Sequence, residues 1–313
     1  MRELRCLLDG VLKGFFVVGA VMLVGYILGR SNALGPNGTK VLSTLSFMVG
    51  LPSLMFSLLV TTSVSETLST TGLIAALTAT ACMLVYAVVG AICGWGREAI
   101  IGALTTGIVN STNLGVPLSL YILGSATYVV PIMLFQLALI TPIALTLLDL
   151  TETGRRNLSI RGIVATPFRN PVTVAALLGV CLSALNVQVP DLILAPISLL
   201  AEVTVPLMLI IFGMSLNGLR IRAQRKEWAP TTLAVLLKSA FQPALAWILA
   251  AFVFGLSEFE TFVVTACAIL PTGQNVVLYA IRYRLAERVA QTTAVMTTVL
   301  AIPLLVGAAL VMG

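Results

Sequence analysis

The sequence contains no histidine, and its five cysteines (Cys6, Cys82, Cys93, Cys181 and Cys267) show no CxxC or similar metal-binding spacing. A disulfide scaffold, a zinc site and histidine-based catalysis therefore lack their raw material. Charge is scarce too: 10% of the 313 residues are Asp, Glu, Lys or Arg, whereas 58% are hydrophobic, and the mean hydropathy is +1.06. So little polarity cannot cover a soluble domain, and the chain reads as an integral membrane protein whose surroundings are the lipid bilayer. The net charge of +6 does not point to nucleic acid, because the basic residues lie between apolar runs, where they orient a chain in the bilayer. No cofactor box is present. With no His and one clearly intramembrane carboxylate, no nucleophile–base pair or metal centre can be assembled, so no enzyme activity is expected.

What the sequence has is apolar length. Ten runs are bounded by charge, Gly/Pro or short polar loops, near residues 11–29, 40–60, 72–94, 99–124, 127–148, 171–187, 192–216, 230–255, 259–282 and 286–312. A hydrocarbon core of ~30 Å takes about 20 helical residues, so each run is long enough to cross, the sixth at the short limit. The expected fold is an all-α integral membrane protein of ten transmembrane helices. Residues 14–29 resemble a signal-peptide core in length, but the repeat described below requires them as the first helix. The preceding "RELRCLLDGVLK" alternates charged and apolar faces and reads as an interfacial extension of that helix.

Loop charge orients the chain. With the N-terminus outside, the inner loops carry Arg30, Lys40 and Arg97, then Arg155, Arg156, Arg161 and Arg169, then Arg220, Arg222, Arg225 and Lys226, then Arg282, Arg284 and Arg288. The outer loops between spans carry no basic residue. Both termini are thus expected on the non-cytoplasmic side of a multi-pass plasma (inner) membrane protein.

An offset of 154 residues (179 − 25) aligns Gly25 with Gly179, and likewise Pro36 with Pro190, Pro52 with Pro206 and Pro117 with Pro271. The local text agrees, "LPSLMFSLL" at 51–59 answering "VPLMLIIFG" at 205–213. Corresponding helices are five spans apart, and an odd number reverses their direction. The expected architecture is an inverted 5+5 repeat, with residues 1–150 as the first half, 151–170 as a cytoplasmic connection and 171–313 as the second half.

Within the fourth run, "NSTNLGVPLSLY" at 110–121 places Asn, Ser, Thr, Gly and Pro where exposed backbone is hardest to tolerate. Residues 110–117 interrupt the fourth span, and "LPTGQNVV" at 270–277 interrupts the ninth. Gly and Pro also kink ordinary membrane helices, and Asn, Ser and Thr can join neighbouring helices. Paired breaks at corresponding places in a repeat point instead to a midplane binding site. The freed backbone donors and the positive ends of the half-helices favour an anion. The expected binding residues are Asn110, Asn113, Gly115, Thr272, Gly273, Gln274 and Asn275, with Pro117 suited to open a half-helix. Two charges, Glu202 in the seventh span and Lys238 in the eighth, are candidates for coupling. Their structural readings are a static or water-facing scaffold group for Glu202 and snorkelling to the cytoplasmic interface for Lys238.

"LSTLSFMVGLPSLMFSLL", "NSTNLGVPLSLY", "VPLMLIIFGMSL", "LKSAFQPALAWILA" and "ILPTGQNVVLYA" together resemble the auxin efflux carrier family over almost the whole chain. The resemblance implies ten helices, outward termini and a crossover of broken fourth and ninth helices marked by Pro117 and Pro271. It also implies a fold related to bile-acid symporters and sodium/proton antiporters, in which a core moves against a scaffold. Spans 1, 2, 6 and 7 would form a scaffold that homodimerises, and spans 3–5 and 8–10 an elevator-like transport core. Lys238 matches a lysine common in the family, whereas Glu202 stands where a small residue is expected. The implied substrates are small organic anions, auxin in plants and carboxylates such as malate or malonate in bacteria. The connection at 149–170 is too short for the large hydrophilic loop of plant members, which favours a bacterial-type carrier. The leading expectation is export of an organic anion by alternating access. Proton- or sodium-coupled symport on the same fold, or a passive anion channel, are the alternatives.

Overall fold

In a medium without water, backbone groups must be satisfied within the segment that carries them, and the helix does this residue by residue. The computed structural model describes residues 2–61, 70–153, 171–217 and 225–312, and these are helical almost throughout, with a single isolated β-bridge. The first half contains α1 (Arg2–Ser31), α2 (Gly38–Val60), α3 (Thr70–Ile92), α4 (Glu98–Gly107), α5 (Val116–Ile122) and α6 (residues 126–153). The second contains α7 (Pro171–Ala184), α8 (Asp191–Leu216), α9 (Trp228–Val253), α10 (Glu258–Ile269), α11 (Gln274–Tyr283) and α12 (Glu287–Met312).

Among the described residues five helices, α2, α3, α8, α9 and α12, are long and apolar enough to cross a membrane, and Phe16–Ser31, Ala126–Phe135 and α7 are shorter apolar helices. Large apolar side chains face outward along them: Phe16, Ile92, Leu192, Phe252 and Val311 are each more than two-thirds exposed. Such a surface belongs in lipid. Most of the basic residues expected in the central connection and the 217–229 loop, including Arg155, Arg156, Arg161, Arg169, Arg220 and Arg222, lie outside the described residues.

Among the described residues, π-helical turns widen the helices at Ser46–Gly50, Ser111–Gly115, Gln136–Ile140, Leu237–Phe241 and Leu249–Val253. The first four each end two residues before a proline: Pro52, Pro117, Pro142 and Pro243. Proline donates no N–H, and its ring crowds the carbonyl four residues back. A widened turn carries that carbonyl aside, so the helix absorbs the proline without a sharp break.

Close packing of the helices is set by glycine. A side chain on Gly25 of α1 would strike the Ile210 backbone of α8, one on Gly213 of α8 would strike Met22 of α1, and one on Gly179 of α7 would press Leu59 of α2. In the same way Gly72 of α3 lies against Pro131 of α6, while Gly102 and Gly107 of α4 lie against Tyr86 and Met83 of α3. Such small-residue contacts let membrane helices approach closely where the hydrophobic effect offers little drive.

Candidate functional site

Between α4 and α5, and again between α10 and α11, the chain leaves the helix, and the two unwound stretches lie against each other. Val109 faces Thr272 in an antiparallel bridge. The Asn110 N–H donates to the Pro271 carbonyl at 2.8 Å, and the Gly273 N–H donates to the Ile108 carbonyl at 2.9 Å. Each break thus supplies partners for backbone groups that the other has lost.

The groups that point away from the bridge are met by side chains. In the amide orientation that satisfies both of its ends, Gln136 donates to the Val109 carbonyl and accepts its N–H, each at 3.1 Å. On the other side, Thr297 Oγ1 accepts the Thr272 N–H at 3.1 Å, and the Thr272 hydroxyl donates to the Thr105 carbonyl at 2.7 Å. Polar residues inside apolar α6 and α12 are explained by this accounting, since a buried unpaired backbone group costs about 1–3 kcal/mol.

Past the first break, the Asn110 side chain caps the widened turn by accepting the Asn113 N–H at 3.2 Å. The Asn113 amide then donates to Gln274 Oε1 at 3.2 Å, and Gln274 Nε2 donates to Ser215 Oγ of α8 at 3.0 Å. These side chains line a cavity of about 1070 Å³ that runs from the breaks to the bundle end carrying Asn37 and Lys40. Apolar side chains share the lining, among them Phe47, Leu51, Met133 and Phe212. Among its described lining residues Lys40 is the one charged side chain, and none is a carboxylate.

Five of the expected binding residues, Asn110, Asn113, Thr272, Gln274 and Asn275, come together on this cavity. Gly115 and Gly273 are buried beside it, and each is held where a Cβ would come within 3.0 Å of a neighbour: Val129 and Leu270 for Gly115, Ile108 for Gly273. Pro271 contributes its carbonyl to the bridge, whereas Pro117 lies in the first turn of α5, beyond the bridging residues.

The two charged candidates lie elsewhere. Lys238 is fully buried, and its ammonium turns inward instead of reaching for an interface, donating to Gln242 Oε1 at 2.6 Å and to the Ala268 carbonyl at 2.9 Å. Ala268 is in the last turn of α10, where carbonyls lose their helical donors and a cation is favoured. Glu202 is exposed on the outer side of α8, and neither residue lines the cavity. Sequence reading missed Gln136, Ser215 and Lys40 as site residues. Gln136 had a visible signal, a lone amide inside the fifth apolar run.

A bundle with an apolar exterior and a polar cavity between two broken helices is the build of a membrane transporter. The sequence comparison agrees: residues 11–307 match the membrane transport protein family, also called the auxin efflux carrier family, and the chain belongs to it. No curated protein matches the chain. The family is one of transporters, not of enzymes, and the protein is a multi-pass membrane transporter.

Proposed function

We propose that the protein exports a small organic anion across the plasma (inner) membrane by alternating access, as a uniporter driven by the anion gradient and the membrane potential. The observation that carries this reading is the meeting of two helix breaks on one cavity rich in neutral hydrogen-bond donors, with a single cation at its mouth. An anion finds partners there without a fixed counter-charge deep enough to trap it. Among the described residues no carboxylate lines the cavity, which disfavours a sodium site built there on charged ligands. Glu202 and Lys238, both away from the cavity, disfavour proton coupling through either group.

In this reading the chain crosses ten times as two inverted halves, with both termini outside. Support comes from Gly25 and Gly179, aligned in sequence: one packs α1 on α8 and the other packs α7 on α2, so the first helix of each half meets the second helix of the other. The same contacts favour a scaffold of α1, α2, α7 and α8 and a transport core of α3–α6 and α9–α12. Four side-chain hydrogen bonds stay within one part, whereas Gln274 to Ser215 crosses between them: Ser57 with Ser198 and Asn217 with Tyr26 lie within the scaffold. Tyr86 with Pro230 and Lys238 with Ala268 stay within the core. The exposed Glu202 at mid-helix would cost at least ~2.5 kcal/mol in lipid, which favours a second copy of the chain against that scaffold face, as a homodimer. The cavity mouth lies with Lys40, on the side that loop charge assigns to the cytoplasm, so the structure corresponds to a loading state for export.

Counterflow in proteoliposomes tests the carrier reading. Vesicles preloaded with unlabelled malate, malonate or indole-3-acetate should transiently accumulate the same labelled anion from dilute external medium, with saturable initial rates. Linear flux without counterflow for all three would point to a channel or to another substrate class.

A further inference from the structure

Gln274 uses both ends of its amide: Oε1 accepts from Asn113 across the breaks, and Nε2 donates to Ser215 near the end of α8. The Ser215 hydroxyl in turn donates to the Phe212 carbonyl at 2.6 Å, one turn back, which fixes its lone pairs toward Gln274. This is the one place where a cavity-lining side chain of the first turn of α11 is hydrogen-bonded to a cavity-lining side chain of α8 in the described residues. The bond therefore joins the proposed core to the proposed scaffold, at the point where an anion bound in the cavity would need the donor.

We propose that the Gln274–Ser215 hydrogen bond is an occupancy-sensitive latch. With the cavity empty, it holds α11 against α8 in the conformation seen here. An anionic head group between the breaks is a stronger acceptor than a serine hydroxyl and takes the Gln274 N–H. Ser215 is then left bonded only to its own helix, and the core is free to move along the scaffold. The latch makes the loaded carrier reorient faster than the empty one, so exchange outpaces net flux. This inference rests on the division into scaffold and core, and it assigns to Ser215 a positioning role.

The test needs no substrate. Spin labels at Val203→Cys on α8 and Ile281→Cys on α11, both on exposed positions, report the distance between the two helices in a background without native cysteines. Labelled protein is diluted with unlabelled protein, so that only distances within one chain are read. In ligand-free nanodiscs the unmodified site should give one dominant distance. Ser215→Ala should raise the population of a second distance by about 2- to 10-fold, the equilibrium equivalent of one ordinary hydrogen bond. Ser215→Thr, which keeps the hydroxyl, should behave as the parent. Gln274→Leu breaks the same bond from the other side, so the double variant should add little to either single one. If Ser215→Ala and Gln274→Leu both keep the parent distribution, or if their effects simply add, there is no latch. Failure of the anion reading appears separately, as absent counterflow in the unmodified carrier.

Discussion

Neutral amides carry the polar chemistry of the cavity, and each contributes through hydrogen bonds to charge worth about 1.5–3 kcal/mol. Asn113→Ala removes a donor shared between the breaks, and Asn275→Ala removes a lining amide at the start of α11. Each is expected to weaken apparent affinity for the carried anion roughly 10- to 100-fold while protein at normal membrane levels stays folded, as initial-rate transport against concentration would reveal. Unchanged kinetics in both variants would remove the proposed site. Lys238 acts at a distance from the cavity. Lys238→Met sheds the desolvation penalty of a buried charge but leaves the Ala268 carbonyl and the Gln242 amide without that donor. Thermal stability should therefore change little, while maximal transport rate falls roughly tenfold or more, because the α10 end next to the break is no longer held. A rate equal to the parent's would reduce Lys238 to a packing residue. At this scale sequence reading reached side chains within the breaks, since polar residues at membrane depth need a reason. Ser215 and Lys40 escaped it because a serine near a helix end and a lysine in a basic loop look ordinary until a cavity is seen to reach them.

Elements are shaped by where the backbone can find partners. Prolines that would otherwise kink α2, α6 and α9 are accommodated by widened turns, and three such turns (Ser46–Gly50, Ser111–Gly115 and Gln136–Ile140) deliver residues to the cavity. The Gln136 amide is pinned to Val109 in consequence. Gln136→Leu should leave the buried Val109 N–H unpaired, its carbonyl keeping the Ser111 N–H at 2.8 Å, and destabilise the fold by about 1–3 kcal/mol, with faster hydrogen exchange at Val109. Exchange at Val109 that stays as slow as in the parent would mean that the bridge satisfies itself. The positions of the helices were legible in apolar runs, because a spanning helix must be long and apolar whatever it packs against. The place where two broken helices meet was less so. Pro117 and Pro271 align in sequence, yet Pro271 gives its carbonyl to the bridge while Pro117 lies beyond it in α5, because a break is fixed by hydrogen bonds across the bundle and not by the nearest proline. Widened turns were missed for a related reason: they follow from proline sterics inside a continuous helix, which hydropathy does not register.

At the scale of the whole molecule, the proposed topology turns the basic, cavity-bearing end toward the cytoplasm. An impermeant thiol reagent added outside intact cells should fail to label a cysteine introduced at position 157, which loop charge assigns to the inside; labelling there would reverse the orientation. That orientation matters because a potential negative inside drives a monoanion outward with about 2.3 kcal/mol per 100 mV, roughly a 50-fold concentration ratio. The most direct measurement is labelled-anion uptake and current in proteoliposomes under an imposed potential, positive inside, with no sodium or proton gradient, using malate, malonate and indole-3-acetate. The account predicts accumulation of at least one of them that grows with the potential, accompanied by a current of the matching sign. Uptake that ignores the potential and requires a sodium or proton gradient would contradict it.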